Sequence, residues 1–261
     1  MATRDSKSPD LERSLALLWS GRAGGRRGPR PKLSVEQIAQ AAIRVADADG
    51  LEALSMQRIA AELGYSTMSI YNHIPSKDLL LEVAADIGAG RPPEIEGTAD
   101  FRDAVRQWVA ALWAGFQTRP WILRVPIDHS PIGPNQLAWL DRLLRPLLAA
   151  GLAGGQARAA AMHLTAVVRG TAQISVDMAK SHQRSAAELG RLLDEVIDER
   201  AYPALAAVHA AEATEAVETA ETAEHEGHGL PVELDFGVNR FLDGVEAWVA
   251  SHGKVRSPGA V

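Results

Sequence analysis

The chain of 261 residues reads as all-α. Three observations predict this. Apolar residues recur at three- and four-residue spacing along most of the length, no stretch shows the strict alternation of a half-buried strand, and Ser, Gly and Pro punctuate the runs where helices begin and end. The pattern divides into a small N-terminal three-helix unit with a helix-turn-helix and a larger helical body. The expected boundaries are 1–32 for a flexible extension with a basic arm, 33–80 for the helix-turn-helix unit, 81–252 for the body and 253–261 for a tail.

In the extension, Leu11, Leu15, Leu18 and Trp19 sit at helical spacing among polar residues. A short packed helix and a disordered segment are both open readings. Gly21 to Lys32 (GRAGGRRGPRPK) is a flexible basic arm that can enter a minor groove or track phosphates, or serve as a plain linker. Ser34 and Gln37 form a capping box, and Val35, Ile38, Ala42 and Val45 continue at helical spacing to Gly50. Ser55 caps a second helix with Met56, Ile59, Ala60 and Leu63 on its apolar face. Gly64 supplies a left-handed turn. The third helix is expected over Ser66 to His73, stopped by Pro75, with Ser76 capping the next. Ile70 and Ile74 close the small core, Met68 and part of Tyr71 can face the preceding helix, and Ser66, Thr67, Ser69, Asn72 and His73 remain outside.

The body opens with a connecting helix from Asp78 that Gly88, Gly90, Pro92 and Pro93 end. Phe101 to Thr118 is strongly amphipathic. Pro120, Pro126, Pro131 and Pro134 break the chain after it into loop and short helical pieces. Helices are expected over Asn135 to Ala150, Gln156 to Lys180, Ala186 to Val208 and Glu233 to Ser251. The acidic, low-complexity tract from His209 to Gly229 is expected to be a disordered loop.

Composition narrows the function classes. There is no cysteine, so disulfides and thiolate metal sites are excluded. No apolar run reaches the ~18 residues of a membrane span. The segment MATRDSKSPDLERS lacks the apolar core of a secretory signal, so a cytoplasmic location is expected. Net charge is −6, but it is segregated. Arg22 to Lys77 carries eight cations against five anions, residues 1–21 balance, and residues 78–261 hold −9. A basic head on an acidic body lets only the head dock on DNA.

The outer face of the third helix suits that partner. Ser66, Thr67 and Ser69 are short hydrogen-bonding groups of the kind that reach base edges in the major groove. Tyr71, His73 and Lys77 are better placed for phosphates. The stretches Ile59-Ala60-Ala61-Glu62-Leu63-Gly64-Tyr65-Ser66 and Ser69-Ile70-Tyr71-Asn72-His73-Ile74-Pro75-Ser76-Lys77 closely resemble the DNA-binding motif of the TetR (tetracycline repressor) family. The resemblance spans about 50 residues and implies that Gln57, Thr67, Met68, Ser69, Tyr71, Asn72, His73 and Lys77 face DNA. Weaker resemblance continues through Leu140 to Leu152, Val167 to Gly170 and Phe236-Gly237 to Gly244-Val245-Glu246. It implies a tetracycline-repressor-type body whose long and last helices form a four-helix bundle with a second chain, and a mobile loop where the acidic tract lies. The function so implied is a homodimeric transcriptional regulator, a repressor on palindromic operator DNA released by a small molecule. The alternative is a constitutive DNA-binding dimer without a ligand. The His and Glu residues that hold a magnesium–tetracycline complex in that family have no residue-by-residue match here.

Aromatic residues of the body, Trp108, Trp113, Phe116, Trp121 and Trp139, can be core or can line a cavity for an apolar or aromatic effector. His129, His163, Arg169, Gln173 and Asp177 supply polar groups, with Arg169 and Asp177 also suited to a dimer seam. Val167 and Val245 are expected at that seam. His209, His225 and His228 lack the spacing of a metal motif, so neither a metal nor a cofactor is expected. No nucleophile, base and oxyanion-stabilising set appears, and the chain is not expected to be an enzyme.

Overall fold

The computed structural model describes residues 8–19, 33–95, 100–181, 200–219 and 230–252, and every regular element among them is helical. In chain order these are α1 (Ser8–Trp19), α2 (Val35–Asp49), α3 (Met56–Leu63), α4 (Thr67–Tyr71), α5 (Lys77–Ala89), α6 (Phe101–Thr118), α7 (Pro134–Ala149), α8 (Gly154–Ser181), α9 (Pro203–Thr219) and α10 (Val232–His252). Short 3-10 turns occupy Leu51–Ala53 and Pro120–Arg124.

The head is built from α2 to α5. Four serines start its helices in the same way. Ser34, Ser55, Ser66 and Ser76 each accept a backbone N–H three residues on, at 3.1–3.2 Å. Each such cap is worth about 1 kcal/mol. Gln37 returns a side-chain acceptor to the Ser34 N–H at 2.9 Å, completing the capping box. Ile38, Ile59, Ile70, Ile74 and Leu80 are sealed in one core, and each contributes about 1.5–3 kcal/mol by leaving water.

The body packs α6, α7, α8 and α10 around Val105, Val109, Leu143, Leu147, Leu164, Val168, Leu234 and Leu242. Head and body meet along α5. Asp86 on α5 is fully buried, and its carboxylate accepts the backbone N–H groups of Asn135 and Gln136 at 3.1 and 2.9 Å. It thereby supplies the N-terminal cap of α7, which begins at Gly133–Pro134 without one of its own. Gly133 must lack a side chain, because a Cβ there would collide with an Asp86 carboxylate oxygen.

Several elements depart from the sequence-based expectation. The third helix of the head is shorter than Ser66 to His73, since Ser66 is its cap and Asn72 already closes it. Part of the extension is a docked helix rather than a flexible segment. Leu18 of α1 is buried against Ala39 and Val83, Ser14 donates to Glu82 at 2.5 Å, and the Trp19 indole donates to the Ile132 carbonyl at 3.0 Å. Helix α9 runs to Thr219, into the tract expected to be a loop. Its alanines and glutamates give a low-complexity sequence, and they are also strong helix formers. The basic arm, residues 182–199 (which include 186–199 of the expected 186–208 helix), residues 220–229 and the tail lie outside the described residues.

The seam positions are also corrected. Val245 is buried in the chain's own core, and Val167 packs against the same cluster. The exposed large apolar residues of those two helices are others: Met162, Ile174 and Met178 on α8, and Val232, Phe236 and Trp248 on α10.

Candidate nucleic-acid interface

The turn before α4 depends on one backbone conformation. Gly64 has φ 72° and ψ 29°, and the following Tyr65 N–H returns to the Ala60 carbonyl at 2.9 Å. A side chain finds open space at Gly64, so the glycine is required by the left-handed backbone and not by crowding. The turn sets α4 across α3, and Ile70 and Ile74 fasten it to the core from beneath.

What remains outward is short and polar at the start of α4, then aromatic. Ser66 Oγ accepts the Ser69 N–H and lies 2.8 Å from Ser69 Oγ, so the two hydroxyls form one linked pair at the helix start. Thr67 and Ser69 are half-exposed. Tyr71, Asn72 and Lys77 are exposed, as is Gln57 at the start of α3. Met68 is 68% exposed, so its place is on the outer face and not against α3. His73 is half-buried, with Nδ1 2.9 Å from the Ser69 carbonyl oxygen. All nine sequence-predicted contact residues thus belong to one continuous stretch and the helix start that supports it. The head's arginines, by contrast, are engaged within the protein. Arg44 pairs with Glu62 at 2.8 Å and Arg58 with Asp49 at 2.6 Å.

The candidate effector residues do not form one group. Trp108 and Trp139 meet edge to face at 5.8 Å, and the Trp108 indole donates to the Trp139 carbonyl. Trp113 and Phe116 are buried in the same core. Trp121 instead packs into the head's core and donates to Asp47 at 2.7 Å. His129 lies 3.0 Å from Glu82, His163 stacks on Phe241 at 4.9 Å, and Gln173 donates to Asp177 at 2.7 Å. Among the described residues no group of three metal-ligating side chains occurs; His225 and His228 lie outside them.

Sequence reasoning missed the joint between the two parts. Arg119 and Trp121 both donate to Asp47, Arg119 also donates to the Gly88 carbonyl at 2.9 Å, and Arg124 pairs with Glu52 at 2.6 Å. From the other side, Arg169 of α8 donates to the Leu123 and Val125 carbonyls at 2.7 and 3.2 Å. Burial pushes the Arg169 guanidinium below the ordinary arginine range. The 3-10 turn at Pro120–Arg124 is therefore gripped by the head on one face and by α8 on the other. Only the prolines that break the helix there signal it in the sequence.

Known proteins fit this geometry. Residues 34–84 match the family model for bacterial regulatory proteins of the tetR family, and residues 93–248 match the tetracyclin repressor-like C-terminal domain. The chain is 31% identical over 259 residues to the HTH-type transcriptional repressor DrrR1 of Streptomyces coeruleorubidus, covering 95% of this chain and 90% of that protein. An HTH-type transcriptional regulator of Saccharopolyspora erythraea is 30% identical over 207 residues, 78% of this chain and 86% of that protein. In fold, the chain is similar to the Streptomyces coelicolor TetR family protein ActR in complex with (S)-DNPA. That match has a TM-score of 0.65 at 23% identity and covers 85% of this chain and 99% of that one. ActR in complex with actinorhodin matches with a TM-score of 0.61 at 23% identity, covering 85% and 97%. With its helix-turn-helix head and its helical body both matched, the chain belongs to the TetR family of transcriptional regulators, DNA-binding proteins and not enzymes.

Proposed function

We propose that this regulator is a homodimeric repressor that reads a palindromic operator and is released by a small aromatic effector held in the body. The observation that carries the DNA-reading part is the outward face of α4. It presents Ser66, Thr67, Met68 and Ser69 for base edges, with Gln57, Tyr71, Asn72, His73 and Lys77 around them. The sense of regulation follows the relative DrrR1, whose name is that of a repressor. A bacterial regulator of this kind works where the chromosome is, in the cytoplasm; among the described residues no helix is long and apolar enough to cross a membrane.

The dimer is supported by α8 and α10. On α8, Met162, Ala166, Gly170, Ile174 and Met178 fall four residues apart and are all exposed. Such a row is the ridge that packs into a groove of another helix, and the small residues at its centre allow close approach. Phe236, Gly244 and Trp248 give α10 a similar face. The effector is proposed from the aromatic set of buried Trp108, Trp113 and Phe116 with half-buried Trp139, and from the two ligands named for ActR, (S)-DNPA and actinorhodin. Trp121, His129, His163 and Gln173 then act at the margins, where the body meets the head and the dimer face. An effector that reshapes the body changes the grip of α8 on the 3-10 turn, and with it the angle of the head. It shifts that equilibrium only by its differential affinity for the two geometries.

The test is a footprint on duplex DNA selected from random sequence by the purified protein, followed by addition of (S)-DNPA or actinorhodin. Two equivalent half-sites about one helical turn apart, or a multiple of it, are expected, with loss of protection on ligand addition. An asymmetric single half-site overturns the dimer reading. Protection that neither compound relieves removes this effector class.

A further inference from the structure

We infer that Trp121 and Asp47 set which operator spacing the dimer accepts, by fixing the angle at which the body carries each head. The inference rests on the dimeric DNA reading proposed above. It adds a second kind of specificity, for the distance and rotation between half-sites. Three consecutive residues of the 3-10 turn divide between the two cores. Trp121 is 5% exposed and belongs to the head's core, Leu123 is equally buried in the body's core, and Ile122 packs against both. The turn is fastened to the body, because Arg169 of α8 donates to the carbonyls of Leu123 and Val125. Trp121 is therefore a pin that the body inserts into the head.

The pin meets two helices of the head at once. Its ring lies against Gly88 of α5, so closely that a Cβ there would stand 3.2 Å from the ring. Its indole N–H donates to the Asp47 carboxylate near the end of α2, at 2.7 Å. Arg119, just before the turn, repeats the pattern. It donates to Asp47 at 3.2 Å and to the Gly88 carbonyl at 2.9 Å. Asp86, which accepts from Asn135 and Gln136, also holds the body to α5. A hold on one helix leaves rotation about that contact open, and a hold on α2 as well opposes it. A hydrogen bond to a charged acceptor suits this task, because it is strong and weakens steeply as its angle departs from linear. Neither residue is on α3 or α4, whose outward side chains are proposed to read the half-site, so both are positioning residues. One added base pair moves a half-site by about 3.4 Å and turns it by about 35° around the DNA axis. A head held at a fixed angle cannot follow that rotation, whereas a head free to pivot can.

Titration of the full-length protein against a series of duplexes reads the filter. The two footprinted half-sites stand at native spacing or are moved by one or two base pairs, and a duplex with one half-site is the reference. The wild-type protein is expected to lose most of its avidity, about 10²–10⁴, when the half-sites are moved. Asp47→Ala removes the acceptor, and Trp121→Phe keeps an aromatic ring without the donor. Both variants are expected to bind native and displaced duplexes within about tenfold of one another, with single-half-site affinity unchanged. Wild-type protein that binds every spacing alike overturns the inference, as do variants that discriminate as sharply as the wild type. Asp47 is exposed, so Asp47→Ala carries the test if Trp121→Phe folds poorly. Weakened single-half-site binding by Asp47→Ala also overturns the inference, because the residue then supports the reading face and not the angle of the head. Wild-type protein that binds two half-sites no better than one would instead refute the dimeric reading, so the two failures are distinguishable.

Discussion

At the scale of single residues, the proposed reading of DNA is tested at two side chains with different tasks. Ser69 is half-exposed on α4, and its hydroxyl is linked to Ser66, so Ser69→Ala removes a base-facing group while leaving Ile70 and the core untouched. Tyr71 is exposed, and it is proposed to contact a phosphate or a base. Each alanine substitution is expected to weaken operator binding by about 1–3 kcal/mol. Electrophoretic shift checks this, with circular dichroism confirming an unchanged fold; undiminished binding by both variants would take α4 out of the interface. Residues of this kind were legible in the sequence because their signals are local. A serine three residues before its bonding partner, or a glycine at a left-handed turn, announces itself within a few positions. The Trp121–Asp47 bond spans 74 residues and carries no such signal. Read from its neighbours alone, Trp121 looks like any other body aromatic. Met68 was ambiguous for a related reason, since its spacing suits either face and only the actual length and crossing of α4 decide.

At the scale of elements, α1 and the basic arm are joined in sequence and differ in how they act. Helix α1 ties Leu18, Ser14 and Trp19 to α2, α5 and the segment before α7, so it spans the joint between head and body. Leu18→Ala leaves a cavity there and is expected to cost about 2–3 kcal/mol, the low end for a buried leucine at an edge. Urea unfolding measures it; a change below about 0.5 kcal/mol, the range of a surface substitution, would show that α1 is not held. The sequence showed the four-residue spacing of α1 but not its partners, which lie far away along the chain. The arm matters because the folded head is not itself basic. Residues 33–80 hold three cations, Arg44, Arg58 and Lys77, against six anions, Glu36, Asp47, Asp49, Glu52, Glu62 and Asp78. Both arginines are moreover paired with carboxylates. We therefore propose that phosphate neutralisation falls largely to Arg22, Arg26, Arg27, Arg30 and Lys32. Replacing Arg26, Arg27 and Arg30 with Ala is expected to weaken binding on all sequences alike. It should also flatten the dependence of log K on log salt by about 0.9 for every phosphate no longer neutralised. An unchanged slope makes the arm a linker.

At the scale of the whole molecule, the helices proposed to make the dimer also hold the body together, one face of each being buried in the chain's own core and another exposed. The sequence showed that the long and last helices carry apolar residues on more than one side, but it could not say which side the chain covers itself. Val245 illustrates the ambiguity. It is 8% exposed and packs with Leu242 and Val238 inside one chain. A charge there faces the chain's own core, so Val245→Asp is expected to unfold the body rather than separate subunits, at a cost of several kcal/mol. Ile174 and Phe236 are 61% and 65% exposed in the single chain, so a charge at either meets water once subunits part. Ile174→Glu combined with Phe236→Glu is therefore expected to give folded monomers, with little change in the stability of each chain apart from the missing association. Those monomers should bind a single half-site weakly and the full palindrome far less tightly than the wild-type dimer, because joining two heads raises the effective concentration of the second and gives up to about 10²–10⁴ in avidity. Light scattering gives the mass, thermal unfolding the fold, and an operator titration the affinity, all on one preparation. A double variant that remains dimeric moves the interface off this face of α8 and α10. A stable monomer with wild-type affinity for the palindrome would remove dimerisation from the mechanism, and with it the route from an effector in the body, through α8, Arg169 and the 3-10 turn, to the spacing of two heads on DNA.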